Sequence, residues 1–220
     1  MNKKVRTLLD DNIPYKNWRV AACLGKNIWL HLSAPLHPES PKGYDVSTLY
    51  EINLETYEWD EIYFQKTPYI LWNLYATENY LYASILTDID QDGIITDKDY
   101  DGGMKLILYN RTTRETSILY TFPSNCFLPN IKQVIDENQV LLCLSFKNEK
   151  GEILERYDLL DIANNQLQTL YIDNEEMLDC NIFLAKGSNG KVVVVKDLHV
   201  TPSDKPRSNG KADRILVLMD

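Results

Sequence analysis

The chain has 220 residues, 44% of them apolar, and a formal net charge of −9. That length and apolar share are enough for one buried core or for a ring of small repeated units, and they exclude a disordered chain. So acidic a surface repels phosphate backbones and anionic lipid head groups, which argues against nucleic-acid and membrane-surface partners, and no segment approaches the 18 apolar residues of a spanning helix.

In chain order, KVRTLLDDNIP (4–14) reads as a first strand, with no apolar signal-peptide run before it. VAACLGKNIWLHLSA follows as two strands about a tight turn at Lys26-Asn27, and PLHPESPKGYDV (35–46) as a long polar connection. STLYEINLETYEWDEIYF (47–64) is a strand, a turn near Glu55-Thr56 and a strand. The same order recurs in LWNLYATENYLYASIL, turning at Glu78-Asn79, then an acidic loop, then MKLILYNRTTRETSILYTF (104–122), turning at Thr112-Thr113. It recurs again in IKQVIDENQVLLCLSF, turning at Glu137-Asn138, the short KNEKGE, and ERYDLLDIANNQLQTLYID (155–173), turning at Asn164-Asn165. IFLAKGSNGKVVVVKDL turns at Asn189-Gly190, a favoured two-residue hairpin pair. HVTPSDKPRSNGKA (199–212) and DRILVLMD complete the chain. Nowhere does a long segment keep a 3.6-residue apolar period, so the expected class is all-β.

Each unit is thus a four-stranded antiparallel meander, and the last lacks its fourth strand. KVRTLLDDNIP is similar to TSILYTFPSN and LQTLYIDNEE, which run from a fourth strand into the next unit, so the N-terminal strand is expected to pair in the last unit and remove an exposed edge. The pattern resembles a β-propeller. The resemblance implies one domain over 1–220 with four blades, at about 17–64, 65–122, 123–173 and 174–220 plus 3–10, as a self-closed monomer or as half of an eight-bladed homodimer. A β-sandwich with irregular loops is the alternative.

The long connections all join second to third strands, at 35–46, in the acidic loop and at 199–212, and a propeller would bring them to one face, where scaffold folds carry function. From Asp88, the acidic loop spells D-x-D-x-D-G-x-I-x-x-x-D. Alternate aspartates converge as the backbone curls, Gly93 permits the turn, and hard oxygen donors favour Ca²⁺. The spacing resembles the calcium loop of EF-hand and dockerin proteins. It implies Asp88, Asp90, Asp92, the Ile94 carbonyl, Thr96 and Asp99 as metal-site residues. Asp99 stands where the EF-hand has Glu, and strands replace the flanking helices, so a structural clamp is expected rather than a switch.

No nucleophile, phosphate-loop or zinc-protease motif is present, and a non-enzymatic protein is expected. His37 and His199 fall in long loops and read as solvent-exposed; His31 lies in a strand. Trp18, Trp29, Trp59 and Trp72 read as cross-strand packing. Cys23, Cys126, Cys143 and Cys180 are far apart and read as free thiols, which points to a reducing, cytoplasmic setting unless a leader was removed. The expected function is a calcium-binding scaffold that presents its long-loop face to a protein partner, one with a basic surface, as an immunity or inhibitor protein would. A carbohydrate-binding or carbohydrate-active protein using loop aromatics and carboxylates is the alternative.

Overall fold

In the computed structural model the residues described are 17–35, 45–173, 181–186, 192–198 and 213–218. They form antiparallel sheets joined in sequence order. β1 (Asn17–Leu24), β2 (Asn27–Pro35), β3 (Asp45–Asn53) and β4 (Trp59–Ile62) make the first. β5 (Tyr69–Ala76), β6 (Tyr80–Thr87), β7 (Met104–Asn110) and β8 (Thr116–Thr121) make the second. β9 (Cys126–Asp136), β10 (Gln139–Lys147), β11 (Ile153–Asp161) and β12 (Gln166–Asp173) make the third. β13 (Asn181–Lys186), β14 (Val192–Leu198) and β15 (Asp213–Leu218) make a fourth, with three strands among the described residues. The all-β, antiparallel class read from the sequence holds, and strand and turn positions follow the expected meanders.

The turn expected at Lys26-Asn27 lies one residue earlier. Leu24 pairs with Asn27 across Gly25-Lys26, because Gly25 takes the left-handed conformation (φ 57°) that the tight turn needs and Asn27 is drawn into the ladder. The turn at Asn189-Gly190, residues 3–10, His37, His199 and Cys180 lie outside the described residues.

The third-to-fourth-strand turns repeat one device. Asn53 Oδ1 accepts the amides of Glu55 (2.9 Å) and Thr56 (3.2 Å), and Asn110 Oδ1 those of Thr112 (2.9 Å) and Thr113 (3.0 Å). Asp161 Oδ1 accepts Asn164 N at 3.0 Å. Four residues after each cap the backbone turns left-handed, at Tyr57, Arg114 and Asn165. The residue after each cap donates its amide to the neighbouring hairpin turn: Leu54 to the Lys26 carbonyl, Arg111 to Asn79, Ile162 to Asn138. A side-chain acceptor that satisfies two amides lets the chain leave the ladder without stranding polar groups. The first strands also share a feature, since β1, β5 and β9 each carry a register shift against their partner.

The chain divides into two compact units, 1–124 and 125–220. Within the first, the core lies between the first two sheets: Trp29, Leu49 and Ile62 meet Leu71, Leu74, Leu81, Ala83, Ile85 and Ile107. The other face of the first sheet carries a second apolar group, Leu30, Leu32 and Ile52. Strands that are buried on both faces read as continuous apolar runs, as YLYASIL does in β6. Within the second unit, Val140, Leu141, Leu142 and Leu144 of β10 are buried, and Arg156 pairs at 2.8 Å with the fully buried Asp158 while stacking on Phe146. Cys126 and Cys143 are buried thiols; Cys23 is exposed.

Candidate metal centre

The acidic loop spans 88–103, between β6 and β7. Its first turn is organised by Asp88, whose Oδ1 accepts Gln91 N and Oδ2 accepts Gly93 N, both at 2.8 Å. Gln91 (φ 58°) and Gly93 (φ 85°) take the left-handed conformation that this curl demands. Asp90 Oδ1 accepts Asp92 N at 3.3 Å, and Asp92 Oδ1 accepts Ile94 N at 2.8 Å. Ile95 then buries its side chain, anchoring the loop to the apolar interior.

The second half is a single 3-10 turn, Asp97–Tyr100, with Thr96 as its N-cap. The Thr96 hydroxyl accepts Lys98 N, and Asp99 Oδ2 accepts Thr96 N at 2.8 Å, a reciprocal capping box. Asp99 Oδ1 reaches back across the loop to accept Ile89 N at 2.8 Å. One buried carboxylate therefore ties the start of the loop to its end. Gly103 closes the base: its amide donates to the Asp99 carbonyl (2.9 Å) and its carbonyl accepts Thr87 N (3.1 Å). A Cβ at Gly103 would lie 2.1 Å from the Asp99 oxygen, so no other residue fits here without moving backbone.

Asp88, Asp90 and Asp99 each bring a carboxylate oxygen within 4.8 Å of the others, with Asp88 and Asp99 buried and Asp90 exposed. The remaining sequence candidates, Asp92, Ile94 and Thr96, also bond within the loop. Asp92 is exposed and turned onto Ile94 N, Ile94 supplies that amide, and the Thr96 hydroxyl serves the cap.

The donor set fits a hard cation. Calcium–oxygen bonds run about 2.3–2.6 Å, so oxygens up to about 5 Å apart can share one ion. An ionised carboxylate offers about four acceptor positions. Asp88 commits two to amides and Asp90 one, which leaves lone pairs for a metal. Without a cation, ionised carboxylates within 4.8 Å of one another repel. Three carboxylates with no nitrogen or sulfur donor among them are a donor set for a hard cation rather than for zinc or copper.

A second polar cluster, which the sequence does not announce, lies between the first two sheets. His31 Nε2 and Ser47 Oγ are 2.7 Å apart and both residues are buried, the spacing of a nucleophile and its base. Its proton runs the wrong way for catalysis. Arg19 Nε donates to His31 Nδ1 at 3.2 Å, so the proton of the neutral ring sits on Nε2 and is given to Ser47. Ser47 Oγ also accepts Leu71 N at 2.7 Å, and Arg19 Nη2 donates to the carbonyls of Leu71 (3.4 Å) and Trp72 (3.1 Å). Leu71 and Trp72 lie at the β5 bulge, on the edge strand of the second sheet.

No protein-family model matches the chain, and no curated protein matches its sequence significantly. Among the described residues no helix is long and apolar enough to cross a membrane.

Proposed function

We propose that this chain is a calcium-binding β-scaffold of propeller type that works by binding rather than catalysis. Its long second-to-third-strand connections form the surface offered to a protein partner. The observation that carries the reading is the convergence of Asp88, Asp90 and Asp99 in the connection between β6 and β7. Calcium there acts as a structural clamp: it neutralises the carboxylates and fixes the loop, while the flanking strands leave no helix pair to open. The four meanders close as a ring, residues 3–10 adding a strand beside β15. In support, the fourth sheet has three strands among the described residues where the others have four. The net charge of −9 suits a basic partner, as for an immunity or inhibitor protein.

Calorimetric titration with Ca²⁺, and melting in EDTA and then in excess Ca²⁺, test the site. At a hundredfold excess over Kd the ion contributes about 2.7 kcal/mol, or about 5–10 °C for a domain of this size. Asp90 is exposed and holds a single long amide bond, so Asp90→Asn removes a ligand charge with little cost to the loop and is expected to abolish the response. A wild-type protein that neither binds nor is stabilised by millimolar Ca²⁺ rules the site out.

A further inference from the structure

We propose that Arg19, His31 and Ser47 form an acid-released latch, which holds the bulge of β5 to the first sheet while the imidazole is neutral and lets go when it is protonated.

The inference starts from the direction of the hydrogen bonds. His31 accepts from Arg19 at Nδ1 and donates from Nε2 to Ser47, so every polar position of the neutral ring is used. Arg19 and Ser47 together satisfy Leu71 N, Leu71 O and Trp72 O. β5 is an edge strand of the second sheet, so groups on its outer side have no ladder partner, and the Leu71 amide among them is buried and needs one. A proton added to the ring lands on Nδ1. Donor then faces donor, and an imidazolium faces a guanidinium, so Arg19 must leave and takes its bonds to the two bulge carbonyls with it. The charge that acts on the ring is Arg19 itself, and it opposes protonation.

Burial, and then Arg19, lower His31 from its ordinary 6.5 to about 4. The sign follows from linkage. The unfolded chain takes the proton first, so the latch contributes fully above pH 6.5 and its contribution is lost as the pH falls toward 4.

Two measurements decide it. In nitrogen-detected NMR at pH 7.5, His31 is expected as the Nε2–H tautomer, titrating below pH 5; an Nδ1–H tautomer, or ordinary titration near 6.5, overturns the proposal. In urea unfolding at pH 7.5 and pH 5.0, the wild type should lose about 30-fold more in its folding constant than His31→Gln, whose amide can keep both bonds but cannot titrate. Equal losses overturn it. Ser47→Ala should speed hydrogen exchange at the Leu71 amide, which it leaves without its acceptor; unchanged protection of Leu71 overturns the assigned geometry.

Discussion

Replacing Arg111 with methionine removes a guanidinium that holds four things at once. Its Nη2 pairs with Glu51 at 2.5 Å, its Nη1 donates to the Glu78 carbonyl at 2.5 Å and the Thr77 carbonyl at 3.4 Å, and its plane lies over Trp29, 5.0 Å from the ring centroid. Trp29 is fully buried, and the ion pair is mostly so, with side chains 17% and 22% exposed. A desolvated cation–π contact contributes about 1–2 kcal/mol, and a mostly buried carboxylate left without its partner costs about 1–3 kcal/mol. Arg111→Met is therefore expected to destabilise by about 3 kcal/mol, partly relieved when Glu51→Gln is added. Three residues on, Arg114 pairs with Asp60 at 2.9 Å, but those side chains are 65% and 67% exposed. Exposed pairs contribute about 0–1 kcal/mol. Arg114→Met makes the same change in net charge, so it controls for long-range repulsion in an acidic chain. Urea unfolding of both variants, read as midpoint shifts at constant slope, makes the comparison. Equal destabilisation would refute the claim that burial, rather than the presence of an ion pair, sets the strength of these contacts.

Gly103→Ala is expected to destabilise by about 1–3 kcal/mol, because the new methyl meets the Asp99 and Thr87 carbonyls and the loop base must open. An unchanged unfolding midpoint would show that the base is not tight. Asn110→Ala should cost about 1 kcal/mol by leaving the Thr112 and Thr113 amides without their acceptor; thermal unfolding that matches wild type would deny the turn device its role. If residues 3–10 complete the last sheet, their amides exchange slowly in deuterium-exchange mass spectrometry, whereas exchange within seconds would leave the ring open.

The meanders were legible because each pairing is local: apolar runs, two-residue turns and polar breaks recur within about fifty residues. The carboxylate trio was legible in part. Spacing shows which side chains a curling backbone brings together, but not that Asp92 turns onto Ile94 N or that Thr96 is taken up in capping, since those choices depend on neighbouring amides. The Asn53, Asn110 and Asp161 caps are printed in the sequence as INLETY, YNRTTR and LDIANN, yet they become a pattern only when the repeats are aligned on their turns. The Arg19–His31–Ser47 cluster left no local trace. It depends on β1, β2 and β3 being in one register and on a bulge in β5, information spread over more than fifty residues.

The uneven lengths of the connections have a consequence for how such a chain can change. On the capped side each turn is fixed by its own hydrogen bonds, and an extra residue there would break them. At the opposite end of each sheet, the second-to-third-strand link ranges from the few residues 148–152 to the sixteen-residue loop at 88–103, with the flanking ladders unaltered. Loop closure grows costlier only slowly with length. Those links are where foreign peptide could be grafted without disturbing the ladders.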